Sequence, residues 1–137
     1  ILTKEEQMVL TPTYYVFKMY KDHQENTLLG SYITSRNIID NGKLPHLVES
    51  ASIKEDGTII STIVNTSMTE AAEVDCQIAD FQVKGIVAEV LTGDAHDHNT
   101  FENKDVVKTV DFTDFEVKAD GFKATIPPCA VVKFVIR

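Results

Sequence analysis

Tryptophan is absent from this 137-residue chain, and aromatic residues make up only 8% of it. Surface-stacking chemistry that depends on indole rings therefore has nothing to work with. Two cysteines are too few for a disulfide scaffold, and whether Cys76 and Cys129 pair is open on sequence grounds. Basic residues are the minority: 13 Lys and Arg against 21 Asp and Glu leave a net charge of -8. That balance argues against nucleic acid and against anionic membrane surfaces as partners, since both require a basic face. No apolar run approaches the ~18 residues of a membrane-spanning helix. There is no internal repeat at a period of about 20–50 residues. No serine sits in a nucleophile elbow, and no glycine-rich loop could cradle phosphate.

What is present suits a single ordinary domain. The chain is 43% hydrophobic and 25% charged, and a domain of this length buries roughly 68% of its unfolded surface. It opens at Ile1 rather than Met, as expected of a fragment or a processed product, so the lack of a leader is uninformative about compartment.

Two periodicities divide the chain. Met8 to Leu10 is a short apolar run, followed by Thr11-Pro12, a helix start with Thr as N-cap and Pro just inside. Thr13 to about Glu25 is free of Gly and Pro and reads as a helix. Its apolar surface wraps beyond a ~100° stripe, so it asks for partners on more than one side, and no second helix supplies them. Residues 30–45 carry Gly30, Gly42 and Pro45 and read as a connector with a short extended piece at Ile38-Ile39.

From His46 onward the period is two. Val48 to Lys54 and Thr58 to Asn65 flank Asp56-Gly57, a hairpin signal. Val74, Cys76 and Ile78 share a face; so do Ile86, Ala88 and Val90. Phe115 and Val117 lead through an Asp120-Gly121 turn to Phe122, Ala124 and Ile126. Ala130, Val132, Phe134 and Ile136 face inward, with Lys133 and Arg137 outward. Seven or eight short strands at about 8–12-residue spacing predict a mainly β protein, an antiparallel, jelly-roll-like β-sandwich, preceded by one N-terminal helix.

Candidate sites are sparse. His96 and His98 would share a face in a strand, with Asp94 nearby, and form a weak metal candidate that lacks a third ligand at a recognisable distance. An EF-hand beginning at Asp94 is excluded, because position six is Asn99 and position twelve is Asp105. Cys76 reads as a buried inert thiol, and Cys129 has no adjacent base to activate it. Asn65-Thr66-Ser67 matches the glycosylation triplet. The carboxylates read as a solvated face rather than a pair held about 5–10 Å apart across a cleft. No cofactor is implied.

Four stretches occur together and in order: LTPTYYVFKMYKDHQ from Leu10, LPHLVESASIKEDGTIISTIVNTS from Leu44, EVLTGDAHDHNTFEN from Glu89, and IPPCAVVKFVIR from Ile126. Together they resemble the C-terminal part of α-L-arabinofuranosidases of glycoside hydrolase family 51. The most specific pieces are His98 to Asn103 and the SASIKEDGTI hairpin. The resemblance implies a (β/α)8 catalytic barrel followed by a β-sandwich. Met8 to Leu10 would be the last barrel strand and Thr13 to Glu25 the last barrel helix, giving 1–29 as barrel remnant, 30–45 as connector and 46–137 as sandwich.

No position here matches the family's two catalytic glutamates, so this chain by itself is expected to be inactive. By the same resemblance Thr11 lies at the substrate-facing end of a barrel strand, where some relatives carry a sugar-contacting Gln; Thr departs from that, and its simpler role is N-cap. The implied partners are the barrel of the same polypeptide, further copies in a homo-oligomer and, for the whole enzyme, arabinose-containing polysaccharide. Family sandwiches also borrow an N-terminal segment, without which a sheet edge is left unpaired. The competing reading is a carbohydrate-binding module using the loop aromatics Tyr32 and Phe101. With the barrel absent, Tyr14, Phe17 and Tyr20 are expected to pack on the sandwich or on another copy.

Overall fold

A computed structural model describes residues 1–38 and 44–137. Alternation of apolar and polar residues builds two antiparallel layers. Among the described residues, the larger sheet takes the order β3-β4-β5-β11-β7-β8, and the smaller one β6-β10-β9. The strands are β3 (Thr27–Leu28), β4 (Leu47–Ile53), β5 (Ile59–Asn65), β6 (Ala72–Gln77), β7 (Ile86–Leu91), β8 (Val110–Asp111), β9 (Phe115–Lys118), β10 (Gly121–Ile126) and β11 (Ala130–Ile136). Ahead of them stand the helix α1 (Pro12–Tyr20) and an antiparallel hairpin of β1 (Leu2–Lys4) and β2 (Gln7–Val9), so the strand expected at Met8 to Leu10 is one arm of a hairpin and stops at Val9. The β-sandwich preceded by one helix is thus the observed architecture.

Phe134 on the central strand β11 is fully buried and anchors the space between the sheets. Phe122 stacks on it at 4.3 Å between ring centroids, while Phe112 and Phe115 meet it edge-on at 5.9 Å. Such pairings add about 0.5–1.5 kcal/mol each to simple burial. The inward set on β11 is as the alternation predicts, with Ala130, Val132, Phe134 and Ile136 all buried. Val117 pairs with Phe122 in register, but β9 is a sheet edge and leaves it 46% exposed.

The two Asp-Gly turns differ in physical origin. Gly57 adopts φ +84°, which favours glycine, and Asp56 accepts the Thr58 N–H at 2.9 Å to close the hairpin. Gly121 is instead the first residue of β10. A Cβ there would lie 1.9 Å from the Cys76 carbonyl oxygen, so glycine is required by the approach of β6.

The helix departs from its expected span of Thr13 to Glu25. It ends at Tyr20, and Lys21–His23 tighten into a 3-10 turn, because Asp22 and His23 are drawn down onto the sheet. Within the expected connector, Ile38 donates its N–H to the Leu44 carbonyl at 3.1 Å. The rest of that reading, at Ile39 and Gly42, lies outside the described residues.

Candidate functional site

The part of the molecule with most to position is the outer face of the larger sheet, where α1, the 3-10 turn and the loop 92–107 meet. Tyr15 and Met19, one helical turn apart, are buried against Leu91 and Val107, with Leu10, Tyr14, Val16 and Val131 half-buried around them. The expectation for Tyr14, Phe17 and Tyr20 therefore holds only in part. Tyr14 packs edge-on to Tyr15 at 5.3 Å and Tyr20 is half-buried beside His23. Phe17 is 74% exposed, since a single sheet covers only one stripe of the helix.

Thr11 stands at the N-cap position in extended conformation with Pro12 following, but its hydroxyl makes no capping hydrogen bond. The cap reading survives as backbone geometry alone: the Tyr14 N–H donates to the Thr11 carbonyl at 3.0 Å.

Two polar sets pin the 3-10 turn. The His23 ring bridges two strands, with Nδ1 2.8 Å from Ser52 Oγ and Nε2 2.7 Å from Thr62 Oγ1. Asn26 adds a bond to Ser52 Oγ at 3.2 Å. Burial pushes the His23 pKa down; Lys133 works in the same direction and Asp22 opposes them. Beside it, the Lys133 ammonium lies 2.5 Å from Asp22 and 2.6 Å from Glu89. Burial alone would lower the Lys133 pKa, but hydrogen bonds to both carboxylates outweigh it and raise it above the ordinary lysine value. Lys133 does point outward, as its alternation predicts, yet it is buried because the 3-10 turn roofs it.

The third device lies in the loop. Asn99 is buried, and its side-chain amide donates to the Leu10 carbonyl at 2.8 Å and the Val107 carbonyl at 2.7 Å. Its Oδ1 accepts the Val107 N–H at 2.7 Å. Asn99 belongs to the segment His98 to Asn103 that carries the family resemblance, but the resemblance does not assign it this role. Nothing local signals that role, because the partner Leu10 is 89 residues away.

The other predicted residues fall elsewhere. Asp94, His96 and His98 sit on the exposed side of the same loop, which is no strand, and the His98 Nδ1–H donates to the His96 carbonyl at 3.0 Å. Among the described residues, no three His, Cys, Asp or Glu side chains are grouped to hold a metal ion. Cys76 is half-buried against the core, with burial pushing its thiol pKa up, and both cysteines are free. Asn65 is buried and donates to the Glu70 and Ile126 carbonyls, so the glycosylation triplet is closed to a glycan in the folded domain.

Phe101 is half-buried, whereas Tyr32 is 89% exposed. Tyr32 stands at the mouth of a cleft of about 500 Å³ that opens between the sheets, lined by Ala51, Ile63, Val74 and Cys76. Ser31 donates to Glu49 at 2.7 Å in its wall. No described helix is long and apolar enough to cross a membrane.

Comparison with known proteins agrees with this architecture. Residues 1–130 match the family model described as the α-L-arabinofuranosidase C-terminal domain. An intracellular exo-α-L-arabinofuranosidase from Bacteroides ovatus is 37% identical over 140 aligned residues, which take in all of this chain but 27% of that protein. The family 51 arabinofuranosidase of Xanthomonas axonopodis pv. citri superposes with a TM-score of 0.91 at 26% identity, over 98% of this chain and 28% of its own. The arabinose complex of the α-L-arabinofuranosidase from Thermotoga maritima gives 0.83 at 25% identity, over 98% of this chain and 31% of its own. The chain thus spans about a quarter to a third of the relatives it matches. It belongs to the C-terminal domain family of the α-L-arabinofuranosidases, glycoside hydrolase family 51.

Proposed function

We propose that this chain is the accessory domain of an arabinofuranosidase, packing on the catalytic barrel of the same polypeptide and stabilising it. Residues 1–29 are the end of that barrel, 30–45 the connector and 46–137 the sandwich. The whole enzyme removes terminal α-L-arabinofuranosyl residues from arabinose-containing polysaccharide by a retaining mechanism with two glutamates, both outside this chain. Thr11, between the β1-β2 hairpin and α1, borders the substrate at the rim of the barrel, and the enzyme works as a homo-oligomer.

The observation that carries the reading is the seam on the outer sheet face. The sandwich grips α1 through Tyr15 and Met19 and leaves Phe17 74% exposed on the opposite side, as a helix shared between two bodies requires. The test is hydrolysis of 4-nitrophenyl α-L-arabinofuranoside by the full-length polypeptide and by the 137-residue chain. Activity in the first and none in the second is expected; turnover by the chain alone would refute the accessory role.

A second reading, a carbohydrate-binding module, draws on Tyr32 and the cleft beside it. Affinity electrophoresis of the chain in arabinan and arabinoxylan separates the two: retardation that is lost in Tyr32→Ala favours a binding module, and free migration favours the scaffold.

A further inference from the structure

We infer that Asn99 is a positioning residue through which the sandwich sets the backbone at Leu10-Thr11, on the substrate-facing rim of the barrel. The inference rests on the reading of Thr11 given above.

Leu10 is the residue immediately before Thr11, and its carbonyl is held at 2.8 Å by a side chain that belongs to the sandwich. The holder is itself fixed. Asn99 is 4% exposed, and Val107 answers it with both backbone groups, accepting at 2.7 Å and donating at 2.7 Å. Both N–H donors and the oxygen of the amide are engaged, so rotation of Asn99 would break all three bonds.

Two further turns keep the loop in shape. Asp97 accepts the Asp94 N–H at 2.9 Å, and Thr100 accepts the Asn103 N–H at 3.0 Å. Val107 closes the arrangement by packing under Tyr15 and Met19. One loop therefore fixes both α1 and the backbone that leads into it. A catalytic constellation is sensitive to displacement of this kind, since a shift of about 1 Å can cost 10²-fold in rate.

Asn65 is an internal standard for a purely structural role. It is 2% exposed, donates to two carbonyls and accepts the Ser67 N–H at 2.9 Å, and it touches only the sandwich. The experiment compares Asn99→Ala with Asn65→Ala in the full-length polypeptide. Activity on 4-nitrophenyl α-L-arabinofuranoside is measured well below both melting midpoints and expressed per folded molecule. Asn99→Ala should lose about 10- to 100-fold in kcat/KM while Asn65→Ala stays within about twofold of wild type, even where both lose comparable stability. Equal kcat/KM in the two variants would overturn the positioning role. A wild-type polypeptide without activity would overturn the reading of function, and this inference with it. Should Asn99→Ala not fold, Asn99→Ser, which is too short to reach both carbonyls, is read the same way.

Discussion

The Lys133 ammonium lies 2.5 Å from the Asp22 carboxylate, joining the central strand of the larger sheet to a turn 111 residues earlier. With Glu89 on the other side at 2.6 Å, one buried cation is shared between two carboxylates. Lys133→Ala should destabilise the domain by about 2–3 kcal/mol, because it leaves two half-buried carboxylates side by side without their shared cation. Adding Asp22→Asn and Glu89→Gln to Lys133→Met should restore most of that loss. Urea melts of the single and triple variants check this, and an equal loss in both would sink it.

His23 gives a pH dependence whose sign is fixed. Its folded pKa lies below the ordinary 6.5, chiefly through burial. The unfolded state therefore binds the proton more readily. The contribution of His23 is complete above about pH 6.5 and is lost as pH falls toward its folded pKa. Melting midpoints from pH 8 down to 5 should fall less steeply in His23→Gln than in wild type; identical slopes would show that His23 is not the group responsible.

Gly57 and Gly121 follow the same kind of dipeptide but should respond differently. Gly57→Ala places a side chain in open space at φ +84° and should cost about 1–2 kcal/mol. Gly121→Ala drives a Cβ into the Cys76 carbonyl and should cost about 3 kcal/mol or more, since backbone must move. Equilibrium unfolding of the pair reads the order directly, and Gly57→Ala being the worse of the two would contradict the assignment.

Phe17 tests the second body. In the 137-residue chain Phe17→Ser should stay within about 0.5 kcal/mol of wild type, because the ring is already exposed. In the full-length polypeptide it should cost about 2–3 kcal/mol if a barrel covers it. Equal, negligible effects in both would argue against the packing proposed here.

Alternation made the sandwich legible. Val74, Ala88, Val90, Val132, Phe134 and their neighbours lie inward, as a period of two requires. The seam was not legible, for two reasons. Helix α1 offers apolar residues on several sides, so spacing alone could not choose Tyr15 and Met19 over Tyr14 and Phe17. Its polar bonds join partners far apart in sequence: His23 to Ser52 and Thr62, Asp22 to Lys133, and Leu10 to Asn99. Alternation places Lys133 on the outer face correctly, but it says nothing about a roof contributed by another part of the chain. Gly121 shows the converse, a local turn signal whose glycine serves a contact with β6.

Strand β11 is synthesised after every other strand of the domain, yet it occupies the middle of the larger sheet, between β5 and β7. On the ribosome, β3-β4-β5 and β7-β8 must therefore wait as two separate ribbons, each with an open edge, until residues 130–136 emerge to join them. Lys133 and Phe134 arrive in that same segment, so the outer seam and the aromatic core close at one moment. The facing edges of β5 and β7 are thus open to mispairing until residues 130–136 fill the gap between them.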